Sequence, residues 1–354
     1  MKEVVVLYSK LSGYLINNLN TFLDIFPEYQ LSVYHYPSTS DAPFQFESGE
    51  RLKLIDRTTL EAKSFLADIK VDKVVGVLVS GWLDNLYLKA CKRYRKKGIP
   101  VICAIDNPWT GSPKQSAAAL LVKYILPTYY SHAWVSGIWQ YEFARRLGFS
   151  QNKIATGFYA ADTRLFSKNR AYQIGQQNEK KLVFVGRFVP YKWVSELAEI
   201  FLSIPLSQRK GWQLVLIGNG TLKEHLLKQA NEDVVIKDFL PPKEIAKFAG
   251  ECTAFCLPSI AENWGVVVQE LAAAGLPQIL SDRVGARTTF LIPGFNGFVF
   301  KSGSKDGLRH ALIQMFRQSD ESLKKMSENS LYLSTFDTSE KWAYQLNSFM
   351  SYTL

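Results

Sequence analysis

Short apolar runs alternate with amphipathic stretches from one end of this chain to the other. VVVLY (4–8), KVVGVLVS (73–80), IPVICAI (99–105) and HAWVSG (132–137) are rich in β-branched residues and bounded by glycine or proline. That pattern predicts strands buried on both faces. Segments such as 49–69 and 84–97 carry helical spacing and read as amphipathic helices between them. A second series follows: KLVFVG (181–186), WQLVLIG (212–218), VVIKDF (234–239), TAFCLPS (253–259) and PQILS (277–281), again with helical segments in between. Strand–helix alternation at this spacing predicts parallel sheets with right-handed crossovers, and two series predict two α/β domains. The boundary falls in the polar stretch 163–181, which places the domains at 1–165 and 166–335.

Length and composition agree with that division. The chain has 354 residues, too many for one ordinary domain, and its 47% hydrophobic content is enough for two cores. One of its longest apolar stretches, Ala117 to Val122, is cut off by Lys123, far short of the roughly 20 residues a membrane span needs. MKEVVVLYSK reads as a first strand rather than a signal peptide, because Glu3 interrupts a short apolar run. Cys91, Cys103, Cys252 and Cys256 then read as reduced thiols of a cytoplasmic protein. Cys252 and Cys256 have no histidine nearby and alternate along a strand, which favours core over metal ligation. Charge changes the picture more. The net charge is +10, and residues 89–153 carry a net +9 while residues 1–88 carry −3. A local excess of that size implies an anionic partner or surface.

In open parallel sheets ligands bind beyond the carboxyl ends of the strands, so the residues just after each strand carry the chemistry. In PSIAENWGVVVQELAAAGLPQI a strand ends at Pro258-Ser259 and a helix is expected from about Trp264 to Ala274, stopped by Gly275. Amides near Gly265 and Val266 form a helix N-terminus suited to a phosphate. Glu262 and Glu270 flank it, placed to accept hydrogen bonds from hydroxyls at either end of a long ligand; two glutamates alone would equally cap a loop and face solvent. In VGRFVPYKW (185–193), Arg187 and Lys192 follow a strand end and can grip a diphosphate, although alone they would equally be surface cations. LIGNGTLK (216–223) has Gly218 and Gly220 but Lys223 where a dinucleotide fingerprint needs its third glycine.

In this order and spacing, the segments resemble the nucleotide-sugar glycosyltransferases of family 4, over about residues 181–300. The resemblance implies the GT-B architecture, two Rossmann-like parallel-sheet domains facing a cleft, with a C-terminal helix (336–354) packing back on the first domain. It implies a retaining hexosyltransferase-type enzyme moving a sugar from a nucleotide diphosphate-sugar to a glycan or glycolipid hydroxyl, in bacterial cell-surface polysaccharide synthesis. By motif, Arg187 and Lys192 contact the diphosphate, Glu270 the ribose and Glu262 the transferred sugar. Asn263, Trp264, Gly265 and Val266 supply the phosphate-cradling loop and amides, and the base lies near Phe239-Leu240. In the N-terminal, acceptor-binding domain, Gly13 in KLSGY stands where a glycine-rich turn approaches the donor. Asp106 in CAIDNPW stands where an acidic or histidine side chain faces the reaction centre, though it also suits an Asx turn before Pro108.

No D-x-D sequence occurs, so no metal and no cofactor beyond the donor are expected, with cations and a helix N-terminus stabilising the leaving diphosphate. KACKRYRKKG (89–98) carries six cations, followed by Lys114, Lys123, Arg145 and Arg146 with interleaved aromatics. This fits peripheral docking on an anionic membrane surface, or a solvated helix face. Two other classes stay open: an epimerase or phosphorylase on the same architecture, and a basic nucleic-acid-binding protein, for which no recognition motif is present. Histidines lie near no serine or cysteine elbow, which gives a hydrolase triad little support.

Overall fold

The structure is a computed structural model that describes residues 1–37, 46–61, 65–66, 72–168 and 180–351. Much of the polar stretch proposed as the inter-domain linker, 169–179, lies outside the described residues. The chain divides into two units, Met1–Ala160 with Ser339–Leu354, and Ala161–Thr338. The division thus falls before Asp162, because the short helix Thr163–Ser167 packs on helices Pro242–Ala249 and Val266–Ala273 of the second unit.

The first unit is built on β1 (Lys2–Lys10), β2 (Tyr29–Tyr36), β3 (Leu52–Asp56), β4 (Val74–Val79), β5 (Val101–Ile105), β6 (His132–Val135) and β7 (Ile154–Ala155). They pair in parallel in the order β3-β2-β1-β4-β5-β6-β7. Alternation along β1 explains its unbroken apolar run. Val4, Val6 and Tyr8 enter the core on one face of the sheet, while Val5 and Leu7 enter the core on the other. The first face is covered by helix Gly13–Ile25 together with the C-terminal helix Ser339–Ser351. Trp342 anchors the latter, stacking on Trp134 at 4.8 Å and donating its indole N–H to the Phe158 carbonyl at 2.8 Å.

Segment 49–69, expected to be helical, instead contributes β3, paired residue for residue with β2 from Leu31↔Leu52 to His35↔Asp56. LKLID is too short to distinguish a helical from a strand period, and the edge of the sheet decides it. Residues 62–64 and 67–71 of that segment lie outside the described residues. Helix Asn85–Lys96 falls where expected, its N-terminus capped by the Asp84 carboxylate at 2.7 and 3.1 Å from the Leu86 and Tyr87 amides.

The second unit carries β8 (Lys180–Val185), β9 (Trp212–Ile217), β10 (Val234–Lys237), β11 (Ala254–Leu257), β12 (Gln278–Ser281) and β13 (Gly297–Phe300), all parallel, in the order β10-β9-β8-β11-β12-β13. Each sheet reverses its winding once, between β1 and β4 and between β8 and β11. The crevice beyond the carboxyl ends at such a point is where open α/β sheets hold ligands. All four cysteines are free and buried, and burial pushes the Cys91 thiol up to about 12, so none is a poised nucleophile.

Candidate functional site

The turn after β8 runs Gly186-Arg187 into a single 3-10 turn, Pro190–Lys192, and then into helix Val194–Ser203. The joint is Trp193, held at φ 57°. A bulky residue adopts that left-handed conformation only where packing enforces it, and the Trp193 ring is buried, stacked on Phe300 at 6.5 Å. Lys192 immediately precedes this joint. Its ammonium pairs with the Glu262 carboxylate, and both side chains are nearly buried, at 12% and 16% exposure. Sequence reading assigned the two residues to different parts of one ligand; the structure makes them direct partners. Arg187 is exposed, its guanidinium bonded to the Tyr191 hydroxyl and lying 5.7 Å from that ring.

After β11 the chain loops through Glu262, Asn263 and Trp264 and enters helix Val266–Ala273, two residues later than expected. Gly265 causes the delay: at φ 91° it is a non-helical N-cap, and a Cβ there would lie 3.1 Å from the Glu262 Cγ. The backbone amides of Val266 and Val267 open the helix beside the Lys192–Glu262 pair, where they have no carbonyl one turn back to bond. Asn263 is exposed. Trp264 contributes only main chain to the loop, because its indole is buried edge-on against Phe290. Gly275 stops the helix at φ 80°, as its position predicts.

Glu270 lies in the same helix, partly buried. Burial first, and the negative charge of Asp162 second, push its carboxyl up to about 7. Phe239 and Leu240 follow β10, with Phe239 exposed. Among the described residues no group of three or more His, Cys, Asp or Glu side chains could hold a metal ion.

Three further glycines, Gly218, Gly220 and Gly285, hold these loops. Gly218 and Gly220, which suggested part of a nucleotide fingerprint, serve backbone proximity instead: a Cβ on them would meet the Gly186 and Phe188 carbonyl oxygens at 1.9 and 2.5 Å. The Phe188 amide bonds the Asn219 carbonyl at 2.8 Å, which fixes the Arg187 turn against the loop after β9. Gly285, after β12, packs on the Glu262 loop. Its amide bonds the Glu262 carbonyl at 3.1 Å, the next amide bonds the Trp264 carbonyl at 2.9 Å, and a Cβ would stand 2.1 Å from the Asn263 oxygen. Gly285→Ala is therefore expected to displace the Glu262 loop and lower stability by about 3 kcal/mol, as overpacking against backbone does. An alanine variant with the wild-type melting temperature would show that the two loops can part freely.

One cavity of the first unit, about 260 Å³, lies at the carboxyl ends of β1, β4 and β5. Asp106 lines it. Its carboxylate accepts a hydrogen bond from the Tyr159 hydroxyl at 3.3 Å, and its main-chain oxygen accepts from the Gln140 amide at 3.1 Å. Gly13 opens helix Gly13–Ile25, after Ser12, and Tyr14 next to it meets Tyr159 edge-on at 5.5 Å. His132 lies at the other end of the sheet, against Phe349 at 5.2 Å. Burial, with Lys153 and Arg95, lowers it to about 4, so it is neutral and structural.

Residues 167–331 match the family model described as glycosyl transferases group 1. An uncharacterised glycosyltransferase of Methanocaldococcus jannaschii is 27% identical over 181 residues, 46% of this chain and 48% of that protein. The chain thus spans about half the length of that curated relative. Among solved structures, sucrose-phosphate synthase from Thermosynechococcus elongatus superposes with a TM-score of 0.76 over 98% of both chains, at 16% identity. Anabaena HepE in complex with UDP-glucose does so with 0.72 over 99% of this chain and 100% of that one, at 14% identity. At such identities the likeness concerns the fold, two parallel-sheet α/β domains of seven and six strands. Residues 167–331 are thus similar to the group 1 glycosyltransferases, and the two parallel-sheet domains match the fold of GT-B glycosyltransferase structures.

Proposed function

We propose that this protein is a retaining, metal-independent glycosyltransferase of family 4. It moves a sugar from a nucleotide diphosphate-sugar to a hydroxyl of a glycan or lipid-linked acceptor, in bacterial cell-surface polysaccharide synthesis. The observation that carries the reading is the cluster at the β8/β11 switch point: Lys192 paired with Glu262 beside the Gly265 helix N-terminus. A diphosphate entering there meets one ammonium and unbonded helix amides, and Arg187 stands exposed a few residues away. Taking Lys192 onto phosphate frees the Glu262 carboxylate to accept hydrogen bonds from the transferred sugar. Glu270, further along the helix, binds the ribose, and the base lies near Phe239-Leu240.

Leaving-group charge is then stabilised by Lys192, Arg187 and the helix amides without a metal. With no enzymatic nucleophile assigned, the departing phosphate takes the acceptor proton on the same face. UDP-glucose, which HepE holds, is the first donor to test. Transfer in excess EDTA, with retained anomeric configuration in the proton NMR spectrum of the product, is the expected result. An inverted centre, or activity that EDTA abolishes and manganese restores, would overturn the reading. Donor turnover without any acceptor would favour the epimerase or phosphorylase class.

Membrane attachment belongs to the same reading. No described helix is long and apolar enough to cross a bilayer. However, helix Pro113–Val122 buries only Ala119, and Leu120, Leu121, Tyr124 and Ile125 are exposed in and after it, flanked by Lys114 and Lys123. On helix Asn85–Lys96, Lys89, Lys92, Arg93 and Lys96 are exposed, whereas Arg95 is partly buried and its pKa is lowered by that burial. Apolar side chains among cations suit the interface of an anionic bilayer, at roughly 1 kcal/mol per cation. The protein is expected to sediment with phosphatidylglycerol vesicles at low salt. Changing Lys89, Lys92, Lys96 and Lys97 to glutamate is expected to abolish this and to leave UDP affinity unchanged. Equal sedimentation of both proteins would remove the membrane from the proposal.

A further inference from the structure

The Asp106 cavity of the first unit differs in charge from the chain around it. Residues 89–153 carry a net +9, yet the cavity walls hold one carboxylate, Asp106, and no lysine, arginine or histidine. The remaining walls are neutral. Tyr8, Trp82, Phe158 and Tyr159 bring aromatic rings, and Ser9 and Ser80 bring small polar groups. The Tyr8 and Tyr159 hydroxyls are hydrogen-bonded to each other, and Tyr159 donates on to Asp106 at 3.3 Å. Burial first, then neighbouring acidic groups, holds both phenols well above their ordinary range, so they remain neutral. Such a chain of hydroxyls ending on a carboxylate offers acceptors to a polyol, and the Ser9 and Ser80 hydroxyls offer donors. The ring faces offer a platform for the C–H face of a pyranose.

A phosphate in the same space would meet the Asp106 carboxylate with no cation in the walls to offset the repulsion. Sites for phosphorylated ligands are built from arginine, lysine or helix amides, and this cavity is lined by strand ends and aromatic rings. We propose that the cavity takes an uncharged, hydroxyl-rich ligand, an unphosphorylated sugar unit, and rejects sugar phosphates. Resting on the transferase reading above, that sugar is the acceptor end of the reaction. The fold is shared with enzymes named for phosphorylated sugars, sucrose-phosphate synthase among them, so this assigns a substrate class that the likeness does not.

The test is saturation-transfer NMR on the whole chain with the methyl glycosides of glucose, galactose and mannose, against glucose 6-phosphate. UDP binding is followed by calorimetry on the same samples. At least one methyl glycoside is expected to bind, at least tenfold more tightly than glucose 6-phosphate and with little dependence on salt. Leu83, in the cavity wall and 93% exposed, can be changed without disturbing the core. Leu83→Lys is expected to improve glucose 6-phosphate binding at least tenfold and leave the glycoside unaffected. Binding of glucose 6-phosphate to wild type as tight as that of the glycosides, or binding of none of the glycosides, would overturn the proposal. Loss of UDP binding alone would instead strike the transferase reading and leave the selection by charge standing.

Discussion

Lys192→Met is expected to lose both stability and donor affinity, and the two losses are expected to separate in a double variant. In the protein the ammonium neutralises Glu262 at a position where both side chains are nearly buried. Breaking a buried pair by removing one partner costs about 3–5 kcal/mol, and the remaining exposure here reduces that to about 2. Removing Glu262 as well, as in Lys192→Met/Glu262→Gln, restores much of the stability because no uncompensated charge remains. Donor affinity does not return, because the cation for the diphosphate is still missing. A hydrogen bond to a charged group is worth roughly 1.5–3 kcal/mol, so UDP binding falls about tenfold to hundredfold in both variants. Calorimetric titration with UDP and thermal melts of the four proteins of the cycle measure both terms. Undiminished UDP affinity in the single variant would leave the pair a purely structural one.

The second large effect belongs to Glu270. Its carboxyl is raised from 4.5 to about 7 by burial and by Asp162, so the native state holds the proton more tightly than the unfolded chain. That contribution to stability is fully present below the unfolded value of 4.5 and is lost as pH rises through about 7. Over that window it amounts to roughly 3 kcal/mol. Glu270→Gln removes the dependence. At pH 8 the variant is expected to melt about 6 °C or more above wild type, given roughly 2–4 °C per kcal/mol for a unit of this size. Below pH 4.5 the two should melt together.

The same residue makes an opposite prediction for binding. A ribose diol donates hydrogen bonds to the carboxylate form, so UDP-glucose affinity rises with pH through about 7 in wild type. UDP-glucose is the suitable probe because both its phosphates are esterified and neither titrates near neutrality. In the glutamine variant the affinity is low and flat. A variant that is no more stable at pH 8, with the wild-type pH profile for binding, would contradict both the titration and the ribose assignment.

Period and punctuation along the chain were sufficient for two parallel-sheet domains. β1, β4, β5, β8, β9 and β11 are buried on both faces, and their apolar runs announce it. Gly275 announces the end of its helix because only a left-handed residue fits there. Cations and glutamates just beyond strand ends marked the switch-point loops, since in a parallel sheet those loops share one edge. Four strands escaped, the interior β2 and the edge strands β3, β7 and β13; the last three are short and partly exposed, and nothing in their composition outweighs a helical or irregular alternative.

Which loop ends touch was decided by the tertiary structure alone. Spacing records a residue's place in its own element, and it holds no information about a neighbour 70 residues away. Lys192 and Glu262 are such neighbours, and their spacing holds no sign of the ion pair they form. Gly285 is needed only because another loop's carbonyl comes within 2.1 Å of where its side chain would start. The Trp264 indole is core because Phe290 lies against it, which leaves its main chain to the loop. The raised Glu270 carboxyl and the neutral Tyr8 and Tyr159 hydroxyls owe their character to desolvation. Burial is a property of the packed chain, summed over elements distant in sequence, so a linear reading could name these residues but not their charge state.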